Sequence, residues 1–116
     1  MNTIYYNPEC GTCRKTLALL EARDVEIAIH EYLDDPPTVA DLDFVCETLG
    51  FEPQQIVRTK EPLFAELGLS LDDNRTRDEW LALLSENPIL IERPIVVVGD
   101  RAVIARPPEN VFDLFD

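Results

Sequence analysis

Hydrophobic and polar positions follow two different periods along the first third of the chain. Residues 3–7, TIYYN, are mostly β-branched or aromatic and stop at a proline, which predicts a short strand. Leucines recur with helical spacing over 13–24, and 25–33 alternates apolar with polar residues as a half-buried strand does. Strand, helix and strand in this order predict a βαβ unit whose two strands are parallel.

The middle of the chain predicts helices. Thr38 and Asp41 form a capping arrangement at the start of a helix over 38–49, and Gly50 marks its end. Residues 53–86 then divide into short helical segments separated by turn-forming residues.

The last third returns to strand-forming residues. From Ile89 the chain is apolar and β-branched, Pro94 interrupts this run, and a turn at Asp100 leads into a returning strand at 101–105. Two prolines open a final short helix. An α/β thioredoxin-like fold, in which a mixed four-stranded sheet is flanked by helices, has this order, although composition alone does not distinguish it from other α/β sandwiches. A helical insert would separate its βαβ half from its ββα half, and residues 1–116 would form a single domain.

The composition argues against several classes of binding partner for this protein. The chain has 10 basic and 23 acidic residues, a formal net charge of −13, and such a charge repels nucleic acid backbones and anionic membranes. No run of 18 apolar residues occurs, and the N-terminus does not resemble a secretory signal. We therefore expect a cytoplasmic protein, monomeric by default, that binds neither nucleic acid nor membrane.

Three cysteines, an odd number, favour thiol chemistry over a disulfide framework. Cys10 falls where a strand ends and a helix begins, so the N–H groups of Gly11, Thr12 and Cys13 are expected to point into the loop. Such groups lower the pKa of a thiol and bind oxyanions. Gly11 leaves room for a ligand near the backbone, and the side chains of Asn7 and Thr12 are candidate hydrogen-bond partners of a thiolate or an anion.

The second cysteine of this Cys-x-x-Cys pair has three interpretations. Cys13 is a resolving thiol for Cys10, one ligand of a zinc site, or a small side chain in the first turn of the helix. A zinc site needs two further ligands, and His30 and Cys46 do not form a second ligand pair. Cys46 shares the apolar side of its helix with Leu42, which predicts a packing role.

Three arginines occupy unusual positions. Arg93 and Arg106 each precede a proline, which holds their backbone extended, and Arg58 ends a short helical segment. Arginine is the residue best suited to bind an oxyanion through two hydrogen bonds. Each arginine alone also fits a surface salt bridge in so acidic a chain, so an anion site requires the three to converge.

Along nearly its whole length the sequence resembles the glutaredoxin-coupled arsenate reductase family. The resemblance rests on five blocks in order: NPECGTCRKTL at 7–17, YLDDPPT at 32–38, VRTKEPLFAELGL at 57–69, NPILIERPIVV at 87–97 and ARPPE at 105–109. It implies a thioredoxin-like fold with a helical insert, and Cys10 as the nucleophile. It also implies that Arg58, Arg93 and Arg106 bind the oxyanion and that Pro94 is a cis-proline opposite the cysteine.

The activity that this resemblance implies is the reduction of arsenate to arsenite. The Cys10 thiolate attacks arsenic, while the arginines and the loop N–H groups hold the oxyanion. Glutathione then attacks the sulfur–arsenic adduct, arsenic is reduced, and glutaredoxin removes the glutathione. Glutathione is thus a co-substrate, and the resemblance implies no bound cofactor or metal.

Two positions depart from the family pattern. Tyr6 stands where well-known members have histidine, and Cys13 stands where they have serine. The histidine would help to lower the pKa of Cys10, whereas the extra thiol allows a Cys10–Cys13 disulfide. A cysteine pair is also typical of related transcription regulators that sense thiol state and bind RNA polymerase. The alternatives are therefore such a regulator, or a glutathione-dependent reductase of another small substrate.

Overall fold

The computed structural model describes residues 2–115, and its contacts divide the chain into two compact units. The first unit comprises Met1–Asp35 and Arg93–Asp116, and the second comprises Pro36–Glu92. The first unit thus joins the two ends of the sequence, and the second corresponds to the predicted helical insert. The expectation that residues 1–116 form a single domain stays a prediction.

A four-stranded sheet forms the centre of the first unit. Its strands are β1 (Thr3–Tyr6), β2 (Ala28–Glu31), β3 (Ile95–Val98) and β4 (Arg101–Ile104). They lie in the order β2-β1-β3-β4, with β2 parallel to β1 and with β3 antiparallel to both β1 and β4. The sheet is mixed and follows the predicted βαβ and ββα order, so the α/β thioredoxin-like fold is confirmed.

Two helices pack against this sheet and enclose a core. α1 (Gly11–Ala22) follows β1, and a 3₁₀ helix (Pro108–Phe115) follows β4. Ile4 and Val96 are register partners on β1 and β3, so the alternation of side chains along each strand directs both to the same face. The buried core on that face consists of Ile4, Leu20, Val96, Ala105, Val111 and Leu114.

β2 is shorter and more exposed than its sequence pattern predicts. Residues 25–33 predict a half-buried strand, but only Ala28–Glu31 pair with β1, and Ile29 is 49 % exposed. β2 lies at the edge of the sheet, where it has a single neighbouring strand. Val25 and Ile27 pack against the core in the segment that precedes the strand.

Local signals delimit the helices of the second unit well. α2 (Val39–Leu49) begins after Thr38, which forms a capping box with Asp41, and ends at Gly50 in the left-handed conformation with φ of 73°. The insert also contains a 3₁₀ helix at Pro53–Ile56, α3 (Pro62–Glu66) and α4 (Arg77–Glu86). None of the helices within residues 2–115 has the length and apolarity needed to cross a membrane.

The predicted strand from Ile89 begins later than expected. Pro88–Leu90 form a 3₁₀ turn, because proline suits the first position of a helical turn. Ile91 makes an isolated antiparallel bridge with Val57, and the regular strand starts only after Pro94. The predicted turn before β4 is present and contains Gly99 with φ of 61°.

Candidate active site

The strand order gathers three separate segments of the first unit at one end of the sheet. Because β1 and β3 are antiparallel, Tyr5 near the end of β1 pairs with Ile95 at the start of β3. Ile95 also pairs with Ile104 at the end of β4. The loop after β1, the segment before β3 and the segment after β4 therefore leave the sheet at the same end.

Hydrogen bonds order the loop after β1. The Cys10 N–H donates to the Asn7 carbonyl at 3.0 Å, and the Asn7 side-chain oxygen accepts the N–H of Glu9 at 2.9 Å. Arg14, one turn into α1, donates from Nη1 to the Pro8 carbonyl at 2.7 Å. Hydrogen bonds within the loop and one from α1 thus fix the backbone that precedes Cys10.

Cys10 is the N-cap residue of α1 and has an extended backbone, with φ of −94° and ψ of 120°. α1 therefore begins at Gly11, two residues before the predicted helix over 13–24. The N–H groups of a first turn have no carbonyl partner within their own helix, so those of Gly11 and Thr12 lie at the edge of the site. A Cβ at Gly11 would make an ordinary 3.7 Å contact with Arg14 Nη2. The packing of the protein itself therefore does not require glycine there.

Two arginines of the first unit, Arg93 and Arg106, lie close to the Cys10 sulfur. Nη1 of Arg106 lies 4.0 Å from Sγ of Cys10, and the same nitrogen donates to the Arg93 carbonyl at 3.2 Å. The Ala105 N–H donates to the Pro94 carbonyl at 3.0 Å, which ties the two arginine-bearing segments together. The structure thus brings Cys10, Arg93 and Arg106 to one place.

The Cys10 thiol is more acidic than an ordinary cysteine. Its burial raises the pKa, but hydrogen bonds from the backbone N–H and the thiol of Cys13, together with the guanidinium of Arg93, lower the pKa overall from 9.0 to about 7. For Cys13, burial raises the pKa to about 12, and the neighbouring Cys10 contributes to that rise. At neutral pH the pair therefore contains one partly ionised thiol and one protonated thiol.

Both arginine-bearing segments contain a cis peptide bond, at Arg93–Pro94 and at Arg106–Pro107. The first confirms the cis-proline that the family resemblance implies for Pro94. The second was not expected, since the sequence indicates only that Arg106 precedes a proline.

Sequence reasoning did not single out two residues that hold the site segments. Arg14 binds the Pro8 carbonyl in the loop before Cys10, and Asn110 donates from Nδ2 to the Arg106 carbonyl at 3.1 Å. Each lies four residues after a predicted site residue. This four-residue spacing is the sequence signal that could have identified them, because one helical turn brings a side chain back towards the backbone that precedes it.

Arg58 and Cys46 belong to the second unit. Arg58 Nη1 binds Glu61 at 2.9 Å, and its Nε lies 3.8 Å from Glu92, so two acidic side chains of its own unit lie beside it. Cys46 is fully buried on α2, and burial raises the pKa of its thiol to about 11, as the packing interpretation predicts. All three cysteines, which lie in the described part of the chain, are free thiols.

Two further sequence expectations concern the surroundings of Cys10. Tyr6, which stands where family members have histidine, packs against the core of the first unit. Over residues 2–115, no group of three or more His, Cys, Asp or Glu side chains is arranged to hold a metal ion.

Comparison with known proteins covers almost the whole chain. The model of the ArsC family matches residues 5–114. An arsenate reductase of Rhizobium meliloti is 43% identical over 112 residues, which cover 97% of this chain and 79% of that protein. An arsenate reductase of Haemophilus influenzae is 41% identical, with 96% of both chains covered. Among solved structures, an arsenate reductase from Vibrio cholerae has a TM-score of 0.91 and 41% identity, and the match covers 97% of this chain and 95% of that chain.

Proposed function

This chain belongs to the ArsC family, and on that premise we propose that it is an oxidoreductase that reduces arsenate to arsenite. The observation that carries the proposal is the Cys10 thiol, which has a pKa of about 7 beside Arg93 and lies 4.0 Å from Arg106. Attack on an oxyanion needs a nucleophile among groups that offset negative charge. The acidic thiol and the two guanidinium groups meet that requirement.

In the proposed complex the arsenate oxygens face the N-terminal end of α1. The N–H groups of Gly11 and Thr12 bind the oxyanion there, and Asn7 holds the loop that presents them. Arg93 and Arg106 bind its remaining oxygens. For Arg58 the proposal rests on its position in the family motif alone, where it is a third substrate-binding arginine.

The chemistry begins with the Cys10 thiolate. It forms a bond to arsenic, and one arsenate oxygen leaves as water after protonation. A thiolate of glutathione then attacks the Cys10 sulfur, and the electron pair of the S–As bond passes to arsenic, so As(V) becomes As(III). Glutaredoxin removes the glutathione from Cys10 by thiol–disulfide exchange, which restores the free thiol.

The proposal also covers location and assembly. Glutathione and free cysteines are typical of a reducing compartment, so we propose a cytoplasmic location. The proposed assembly is a monomer by default, because no feature of the sequence indicates oligomerisation. The named relatives are reductases of arsenate, which favours this activity over a regulator that binds RNA polymerase and over reduction of another small substrate.

The direct test measures arsenite formed from arsenate when glutathione, glutaredoxin, glutathione reductase and NADPH are supplied. The wild-type protein is expected to produce arsenite with matching NADPH oxidation, and Cys10→Ser is expected to produce none. Cys46→Ser is the matched control, because it removes a thiol that is fully buried in the second unit. Turnover that is no faster than with Cys10→Ser would overturn the proposal.

A further inference from the structure

The Cys13 thiol is enclosed next to the Cys10 sulfur. It lies in the first turn of α1, three residues after the N-cap, and is 0 % exposed. Its side chain hydrogen-bonds to that of Cys10, and the backbone N–H of Asn7 faces its sulfur. A thiol in solution therefore cannot reach Cys13, whereas the Cys10 sulfur is already its neighbour.

The surroundings of Cys10 also restrict an incoming thiol. Cys10 is 8 % exposed and has Arg106 Nη1 at 4.0 Å from its sulfur. Arsenate bound to this sulfur would cover part of its small exposed surface, so glutathione would have to approach a sulfur shielded by both protein and substrate. Cys13 needs no approach, and an intramolecular group held beside its target reacts with a large advantage over a dissolved one.

Formation of the arsenic adduct changes the surroundings of the Cys13 thiol. In the free protein, burial raises the pKa of Cys13 and the Cys10 side chain raises it further, while the Asn7 N–H and Arg93 lower it. Once arsenic is bonded to Cys10, that sulfur no longer carries a thiolate charge or accepts the Cys13 hydrogen bond, while the arsenate oxygens keep negative charge nearby. The Cys13 thiol is thus released from its hydrogen bond to Cys10 at the stage when that sulfur has become an electrophile.

We propose that Cys13 resolves the Cys10–arsenic adduct by forming a Cys10–Cys13 disulfide, an inference that rests on the proposed function and replaces its first glutathione step. The Cys13 sulfur attacks the Cys10 sulfur, the S–S bond forms as the S–As bond breaks, and the electron pair of the broken bond passes to arsenic. Arsenic is reduced from As(V) to As(III), and the two cysteines are oxidised to one disulfide. The proton of Cys13 passes to an arsenite oxygen.

Regeneration of the thiols is then the role of glutathione and glutaredoxin. Two thiol groups of these reductants become one disulfide as the Cys10–Cys13 bond is reduced, so electrons balance over the cycle. Arsenite release consequently precedes any reaction with glutathione.

A single-turnover experiment without glutathione tests this order. Fully reduced, full-length protein is mixed anaerobically with excess arsenate, and arsenite, remaining free thiols and intact mass are measured. The wild type is expected to form one arsenite per chain, to lose two of its three titratable thiols, and to become lighter by two hydrogens. Cys13→Ser is expected to form no arsenite until glutathione is added, and to turn over once it is.

Two controls separate this inference from the proposed function. Cys46→Ser is expected to behave as the wild type, because its thiol takes no part. If the wild type forms no arsenite even with glutathione and glutaredoxin, the proposed function fails. If it turns over with them but forms no arsenite in their absence, or if Cys13→Ser forms as much without glutathione as the wild type does, the role of Cys13 is refuted and the reductase activity stands.

Discussion

Replacement of Arg93 by glutamine is predicted to change how the reactivity of Cys10 depends on pH. The Arg93 guanidinium lowers the pKa of Cys10 by a hydrogen bond and by its charge. Glutamine keeps hydrogen-bonding groups, but its side chain is shorter and has no charge. The midpoint of the reactivity profile is therefore expected to move upward from about 7 towards the ordinary value of 9.0.

The size of the effect follows from two opposing changes. A neighbouring opposite charge shifts a pKa by about 1 unit or more, and a rise of one unit lowers the thiolate fraction at pH 7 from about 0.5 to about 0.1. The intrinsic nucleophilicity of the thiolate rises about threefold for the same change. The rate is thus expected to fall about twofold at pH 7 and to rise about two- to threefold at pH 9, so the two profiles cross.

Thiol–disulfide exchange with a small disulfide reagent, followed between pH 5 and 10, measures these profiles. Cys13 and Cys46 are fully buried, so the initial rate reports Cys10. Lys15→Gln is the matched control, since it removes one positive charge from an exposed position on α1, the helix that begins after Cys10. A wild-type midpoint near 9, or profiles of Arg93→Gln and Lys15→Gln that coincide, would refute the reasoning.

Three further changes have defined outcomes. The family motif alone proposes Arg58 as a substrate-binding arginine. Arg58→Lys keeps the charge but loses the planar pair of donors, so the KM for arsenate is expected to rise about tenfold in steady-state assays with kcat less affected. An unchanged KM would refute a role of Arg58 in binding arsenate. Thr38→Ala loses the capping box of α2 and is expected to lower the free energy of unfolding, measured in urea, by about 1 kcal/mol. The control, Thr48→Ala within α2, is expected to change it by less than about 0.5 kcal/mol. Equal losses of stability would contradict the capping role of Thr38. Burial raises the pKa of Cys46 from 9.0 to about 11, so the unfolded state loses this proton first and stability falls above pH 9. By pH 10 the free energy of unfolding of the wild type is expected to fall by about 1.4 kcal/mol more than that of Cys46→Ala. If the two free energies depended on pH in the same way, this explanation would be contradicted.

Local sequence signals predicted the elements whose ends depend on their own residues. The capping box of Thr38 with Asp41 and the left-handed Gly50 delimit α2 within one residue of the expectation. The strands depend on their neighbours and were predicted less well. Of the predicted strand over 25–33, only Ala28–Glu31 pair with β1. The apolar residues at 88–90 form a 3₁₀ turn that alternation alone does not distinguish from a strand.

In the candidate site, too, features set by adjacent residues were predictable, and features set by contacts between distant segments were not. A cysteine at a strand-to-helix junction was predictable, because the end of β1 and the start of α1 are encoded within a few residues. The meeting of Cys10 with Arg93 and Arg106 was not, since it depends on β3 lying between β1 and β4. In the sequence that convergence came from the family resemblance alone.

The central pairing of the sheet also sets the order in which the chain acquires its chemistry during synthesis. Tyr5 pairs with Ile95, and ribosomes add roughly 5–20 residues per second, so these partners are made roughly 5–20 s apart. Through that interval the nascent chain carries Cys10 and Cys13 without the arginine that acidifies one of them. Cys10 therefore reaches its full acidity only after β3 joins β1, because Arg93, one of the groups that lower its pKa, lies shortly before β3.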